Sequence, residues 1–217
     1  MERGLVYGEY NESNLRISWH CLHKKQPLMN HHANCLFSSI LHRVETELNP
    51  KVLEFCLEQY KADPKGIVKS NHGGWHSQEM NEGLIHEELS NILEQSIQKL
   101  VTRKIELQTF WININTPNSY NRLHNHPAAH FSGVYYVKVP DESGTIYFEN
   151  PHTFEAFSEI QSYSDQFKYD TTQYHYLDIS GKEGLLLVFP SYLKHGVEEN
   201  KSGSDRISIS FNARVIE

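Results

Sequence analysis

The chain has 217 residues, 38% of them hydrophobic and 22% charged, with a formal net charge of −7. Such a length suits a single domain with a proper core, and the composition is not that of a disordered chain. The acidic balance argues against nucleic acid as a partner, since phosphate-backbone binding needs a cationic surface. Three cysteines without paired close spacing, Cys21, Cys35 and Cys56, make a poor disulfide framework and fit a reducing compartment. The opening MERGLVYGEY lacks the basic start and apolar core of a signal peptide. The longest purely apolar run, Leu185 to Phe189, is far too short to cross a bilayer. A cytoplasmic protein with no membrane partner is expected, and a homodimer stays open.

The N-terminal stretch up to about residue 34 is polar and weakly periodic, with a short strand expected around Leu15 to Trp19. The adjacent His31 and His32 diverge on a helix or a strand, so a shared metal is not expected there. A first helix is expected from near Phe37, with Leu36, Ile40, Leu41 and Val44 on one face. A second begins at Pro50 behind an Asn49 cap and buries Leu53, Phe55, Cys56 and Tyr60. The loop Ser70 to Glu79 holds Trp75 between His72 and His76, and reads either as an active-site border or as a connector pinned by a buried tryptophan. A third helix is expected from His86 to Val101, with Leu89, Ile92, Leu93, Ile97 and Leu100 as its apolar stripe.

From Ile105 the period changes from helical to alternating. ELQTFWININ sets Trp111, Asn113 and Asn115 opposite Ile112 and Ile114, and FSGVYYVKV, TIYFEN, YHYLDI, GLLLVFP and RISISFNARV follow as further strands. Helices followed by strands predict an α+β protein in which residues 1–104 form a helical region packed on a β-barrel or sandwich of residues 105–217.

The chemistry concentrates in YNRLHNHPAAH. If the segment before Pro127 is extended, His124 and His126 point to one face, as two ligands of one metal would. His130, beyond Pro127, is a weaker candidate. His195 follows a buried strand and a proline-led turn, and neutral imidazoles of this kind suit iron, zinc, copper or nickel. In RISISFN, Arg206, Ser208, Ser210 and Asn212 share a face. That face is either solvated or turned inward, where an arginine clamps a carboxylate with paired hydrogen bonds and a serine adds another. A metal pocket backed by such an arginine suits a small dicarboxylate or keto-acid.

The ordered elements WIN, YNxxHxHP, SGVYYV, FPSxLxH and RxSxSFN resemble the 2-oxoglutarate/Fe(II)-dependent dioxygenase superfamily, in particular a branch seen in marine bacteria and phages where SNxGGW also precedes the barrel. The resemblance implies a double-stranded β-helix, or jelly roll, with the N-terminal helices packed on one sheet. It implies Fe(II) as metal and 2-oxoglutarate as cosubstrate, decarboxylated to succinate while a C–H bond of a small molecule or protein side chain is hydroxylated. By position, His124 and His195 resemble metal ligands, and Arg206, Ser210 and Tyr136 resemble the groups that bind the far carboxylate, with Tyr135 on the opposite face. Trp111, Asn113, Asn115 and Ser208 are candidates for the pocket wall. His126 departs from the family, which has a carboxylate there, so a three-histidine site follows if it ligates. Two rivals stand beside this reading: a cupin-type three-histidine metalloenzyme that does not use 2-oxoglutarate, and a non-catalytic jelly-roll binding module.

Overall fold

The computed structural model describes residues 38–152, 162–172 and 174–216. The chain divides into two units, 1–38 and 39–217, and the secondary structure among the described residues belongs to the second. The expected strand around Leu15 to Trp19, the His31-His32 pair, Cys21, Cys35 and the expected helix start at Leu36 and Phe37 lie outside the described residues.

Two antiparallel sheets make up the body. The first runs in the order β1 (His42–Glu45), β9 (Leu185–Pro190), β6 (Phe131–Lys138), β11 (Arg206–Ile216), β4 (Lys104–Asn115) and β3 (Trp75–His76). The second runs β2 (Asn71–His72), β5 (Tyr120–His124), β10 (His195–Val197), β7 (Ile146–Glu149) and β8 (Tyr176–Ile179). This is the double-stranded β-helix, with helices on the outer face of the six-stranded sheet. Helix α1 (Pro50–Ala62) starts where its signals lie, with the Asn49 side chain accepting from the Lys51 N–H and Pro50 in the first turn. Helix α2 spans Leu84–Gln95, and a 3₁₀ turn at Ile97–Leu100 completes the third expected helix.

Alternation along the strands builds two cores. On β4 and β11, Phe110, Ile112, Ile114, Ile207, Ile209 and Phe211 face outward against Val52, Cys56, Ile85 and Leu89 of the helices. The opposite faces turn into the sandwich. There Val134, Tyr136, Leu187 and Phe189 meet Ile146, Phe148 and Ile179 of the other sheet. Strand β9 is apolar on both faces because it serves both cores, which explains the unbroken run LLLVF.

Three expectations need correction. His42–Glu45 is not helical but an edge strand paired with β9. Ile40 and Val44 are four residues apart, a spacing that shares one face in a helix and in a strand alike. Strands β1 to β3 all precede residue 105, where helices and loops were expected, and they join both sheets. Helix α3 (Asp165–Thr171), capped by the Ser164 side chain at the Phe167 N–H, interrupts what was read as strands only. No helix among the described residues is long and apolar enough to cross a membrane.

Gly133 on β6 sits where a Cβ would run into the Phe211 ring and the Leu187 carbonyl. Both neighbours belong to packed central strands and have little room to move. Gly133→Ala is expected to lower stability by about 1–3 kcal/mol, the usual cost of overpacking a core, read as an earlier urea midpoint with an unchanged slope.

Candidate metal and cosubstrate site

Histidines 124, 126 and 195 come together. Each offers a ring nitrogen, and these atoms lie within 4.8 Å of one another. His124 and His195 are cross-strand neighbours on β5 and β10, with ring centroids 4.5 Å apart. His126 stands two residues beyond His124, just past the end of β5, and its ring is 5.0 Å from that of His124 and 5.3 Å from that of His195. Its backbone N–H donates to the Ser191 carbonyl at 3.0 Å, which ties it to the turn leading into His195.

Backbone carbonyls set the tautomers of the other two. His124 Nδ1 is 2.7 Å from the Arg122 carbonyl, and His195 Nδ1 is 3.0 Å from the Leu193 carbonyl. A carbonyl only accepts, so each Nδ1 carries the proton and each Nε2 keeps a free lone pair, the form that binds a metal. Burial lowers all three pKa values, that of His126 to about 4 and that of His195 to about 3. Neighbouring His124 adds to the lowering at His126 and His195. Three neutral imidazoles, two of them with Nε2 left free by the carbonyl at Nδ1, are a fitting donor set for a divalent transition metal. His130 is not part of the cluster: it is exposed, and its Nδ1 accepts from the Val215 N–H at 3.0 Å.

A narrow cavity of about 40 Å³ leads inward from the histidines into the sandwich, lined by Arg206, Ser208, Ser210, Tyr136, Asn113 and Trp111. The inward reading of the RISISFN face therefore holds. Arg206 is 1% exposed, and its guanidinium donates to the Asn115 side-chain oxygen at 3.0 Å and the Gly144 carbonyl at 3.3 Å. Its Nε has no partner, and among the described residues it makes no ion pair. Desolvation pulls its pKa down from the usual arginine value, against the pull of Tyr136. Tyr136 is buried in turn, which pushes its phenol up to about 12. Tyr135 points the other way, with its hydroxyl 3.1 Å from Thr46 Oγ1 on the helix side. A buried cation held only by neutral acceptors, with a free N–H, suits an anionic ligand.

A wider cleft of about 560 Å³ opens on the other side of the histidines, and Lys69, Ser70, His76, Glu79, Trp111 and Arg122 line it. Trp75 belongs to the helix core, where its Nε1–H donates to the Asp63 carbonyl at 2.8 Å. His76 beside it is the residue that reaches the cleft, and its ring stacks on Trp111 at 5.9 Å. Asn121 and Ser70, which the motifs YNxxHxHP and SNxGGW contain but which were not singled out as site residues, also line the inner cavity. Asn121 precedes His124 by three residues, so strict alternation would put them on opposite faces. A bulge puts two β5 residues, Arg122 and Leu123, against one of β10, Gly196, between the pairs His195–His124 and Val197–Asn121, and turns both Asn121 and His124 inward.

Fold and site together define a double-stranded β-helix protein with a three-histidine cluster that could hold a metal ion. Residues 109–212 match the model of a family described as "Putative 2OG-Fe(II) oxygenase". No curated protein matches the sequence. Among solved structures, a prolyl-4-hydroxylase from Pseudomonas putida superposes with a TM-score of 0.56 at 15% identity, over 82% of this chain and 93% of that one. The non-heme α-ketoglutarate-dependent epimerase SnoN from nogalamycin biosynthesis gives 0.57 at 13% identity, over 81% of this chain and 76% of that one. HygX from Streptomyces hygroscopicus, solved with nickel and 2-oxoglutarate bound, gives 0.53 at 12% identity, over 81% and 82%. These likenesses establish the fold. Over residues 109–212 the chain is therefore similar to the 2OG-Fe(II) oxygenases.

The lowered histidine values carry a pH signature in the metal-free protein. Unfolded imidazoles titrate near 6.5, whereas folded His126 and His195 do so at about 4 and about 3. Between those values the unfolded chain binds more protons. Stability is therefore fully present above about 6.5 and is lost as the pH falls toward the folded values. Unfolding midpoints measured from about pH 7 to about pH 4.5 should fall progressively, and less steeply in His195→Gln, which removes one of the titrating groups.

Proposed function

We propose that the enzyme hydroxylates a C–H bond of a small molecule or protein side chain seated in the wider cleft. In this reading His124, His126 and His195 form a three-histidine iron site, and Arg206, Ser210 and Tyr136 hold 2-oxoglutarate within the core of residues 105–217. The single observation behind it is Arg206. A guanidinium 1% exposed, with neutral partners only, lines the same narrow cavity as three neutral imidazoles. That arrangement costs folding energy unless an anion completes it. It also counts against a cupin-type enzyme, which has no need of a cation there.

Each residue has a defined task. Arg206 pairs with the far carboxylate of the keto-acid, and the Ser210 and Tyr136 hydroxyls add hydrogen bonds to it. The Nε2 lone pairs of His124 and His195, oriented by the carbonyls behind them, and a ring nitrogen of His126 would hold the metal. Trp111, Asn113 and Ser208 wall the passage, with Trp111 shared with the outer cleft, while Asn115, expected in that wall, is not among the lining residues and instead accepts a hydrogen bond from Arg206. Enclosure between the two sheets excludes water from the reacting centre. Bound Fe(II) supplies the redox chemistry by which O₂ and 2-oxoglutarate give succinate, CO₂ and a hydroxylated product. Histidine in place of a carboxylate at 126 leaves the metal complex one charge more positive than the usual two-histidine, one-acid set.

Anaerobic titration of 2-oxoglutarate into the iron-loaded protein is the direct test. A metal-to-ligand charge-transfer band should appear for wild type and be lost in Arg206→Ala. No band and no binding heat for wild type would sink the proposal, and a band that survives Arg206→Ala would reject the role given to that arginine. For the histidine set, His126→Ala should weaken iron binding about tenfold or more, while His130→Ala should leave it unchanged by equilibrium dialysis.

A further inference from the structure

Arg206 and Asn115 face each other across the β11–β4 ladder. Behind Asn115 lies a one-way chain of hydrogen bonds. Arg206 Nη2 donates to Asn115 Oδ1 at 3.0 Å, Asn115 Nδ2 donates to Asn121 Oδ1 at 3.0 Å, and Asn121 Nδ2 donates to Ser70 Oγ at 3.2 Å. The direction is forced by chemistry. A guanidinium only donates, so Asn115 must turn its oxygen toward Arg206 and its amino group away. Asn121 must then accept, and its own amino group needs the acceptor that Ser70 provides. Both amide orientations, which are ordinarily ambiguous, follow from the one cation.

All three members nearest the cation are shielded from solvent: Arg206 is 1% exposed, Asn115 2% and Asn121 6%. An aspartate at 115 would have nearly the same shape and would neutralise Arg206 outright. The chain instead places a neutral amide there. Asn121 shares β5 with His124, and Ser70 lines both the inner cavity and the outer cleft. The relay thus joins the arginine to the histidine-bearing strand and to the cleft wall.

We propose that Asn115, oriented by Asn121 and Ser70, is a positioning residue that aims the Arg206 guanidinium while leaving its charge uncompensated for an incoming keto-acid dianion. This rests on the role given above to Arg206. Neutrality at 115, rather than shape, is the requirement, and it trades stability of the ligand-free protein for affinity.

The test compares wild type, Asn115→Asp and Asn115→Ala, each as the full chain. Calorimetric titration of 2-oxoglutarate into anaerobic iron-loaded protein gives affinity, and thermal unfolding of the metal-free, ligand-free protein gives stability. Asn115→Asp should unfold at a higher temperature than wild type yet bind 2-oxoglutarate on the order of 100-fold more weakly, because the buried cation now has a resident partner. Its iron content should match that of wild type. Asn115→Ala should lose both, with a lower unfolding temperature and about tenfold weaker binding. A merely structural asparagine would make both variants less stable and would not split the two readouts. Asn115→Asp that fails to fold, is less stable than wild type, or binds 2-oxoglutarate within about threefold of wild type overturns the proposal. Absence of 2-oxoglutarate binding by wild type itself overturns the reading of Arg206 beneath it.

Discussion

A guanidinium enclosed between two sheets with no carboxylate beside it is the constraint around which the rest of this protein is arranged. Removing a lone charge from water costs several kcal/mol even after the surroundings relax, a large fraction of the 5–15 kcal/mol or so by which a domain is stable. The fold bears this by dividing its interior. Within the sandwich Val134, Phe148, Leu187 and Phe189 form an apolar core, and Val134 and Phe189 of that core border the cavity that Arg206, Ser208 and Asn113 also line. A second apolar core, between the six-stranded sheet and the helices, supplies burial that the half-polar sandwich lacks. Strands β4 and β11 make the division workable, since one face of each serves the helices and the other the cavity.

The histidine cluster shows the same economy by a different route. Its members are kept neutral by burial and by one another, and two are locked by carbonyls only two residues away in sequence. Local backbone geometry therefore sets ring orientation, and the pairing of β5 with β10 brings the rings together. His126 depends on tertiary contact instead, through its backbone bond to Ser191 on the turn before β10. His126 is thus held by a contact to the turn after β9 rather than by its own strand.

Much of the plan was legible because alternation survives wherever a strand separates two environments. The period-2 pattern of ELQTFWININ and RISISFN marked both the helix-facing and the cavity-facing residues, and Asn49 with Pro50 marked the start of α1. Legibility failed where the period is ambiguous or broken. Four-residue spacing at Ile40 and Val44 could not separate helix from strand, and only pairing with β9 settled it. The bulge opposite β10 placed Asn121 beside His124 against the alternation rule, so alternation gave no sign that this residue of the YNxxHxHP motif faces the cavity.

The sequence by itself determined which residues alternate, where α1 is capped, and that three separated histidines and one arginine could share a site, because these depend on side-chain chemistry and short-range backbone geometry. Only the tertiary structure decided that the RISISFN face turns inward, that Trp75 packs in the helix core while His76 meets the cleft, and that Arg206 is left with neutral partners alone. Those outcomes depend on which sheet covers which face and on register across strands far apart in the chain. No local period encodes either.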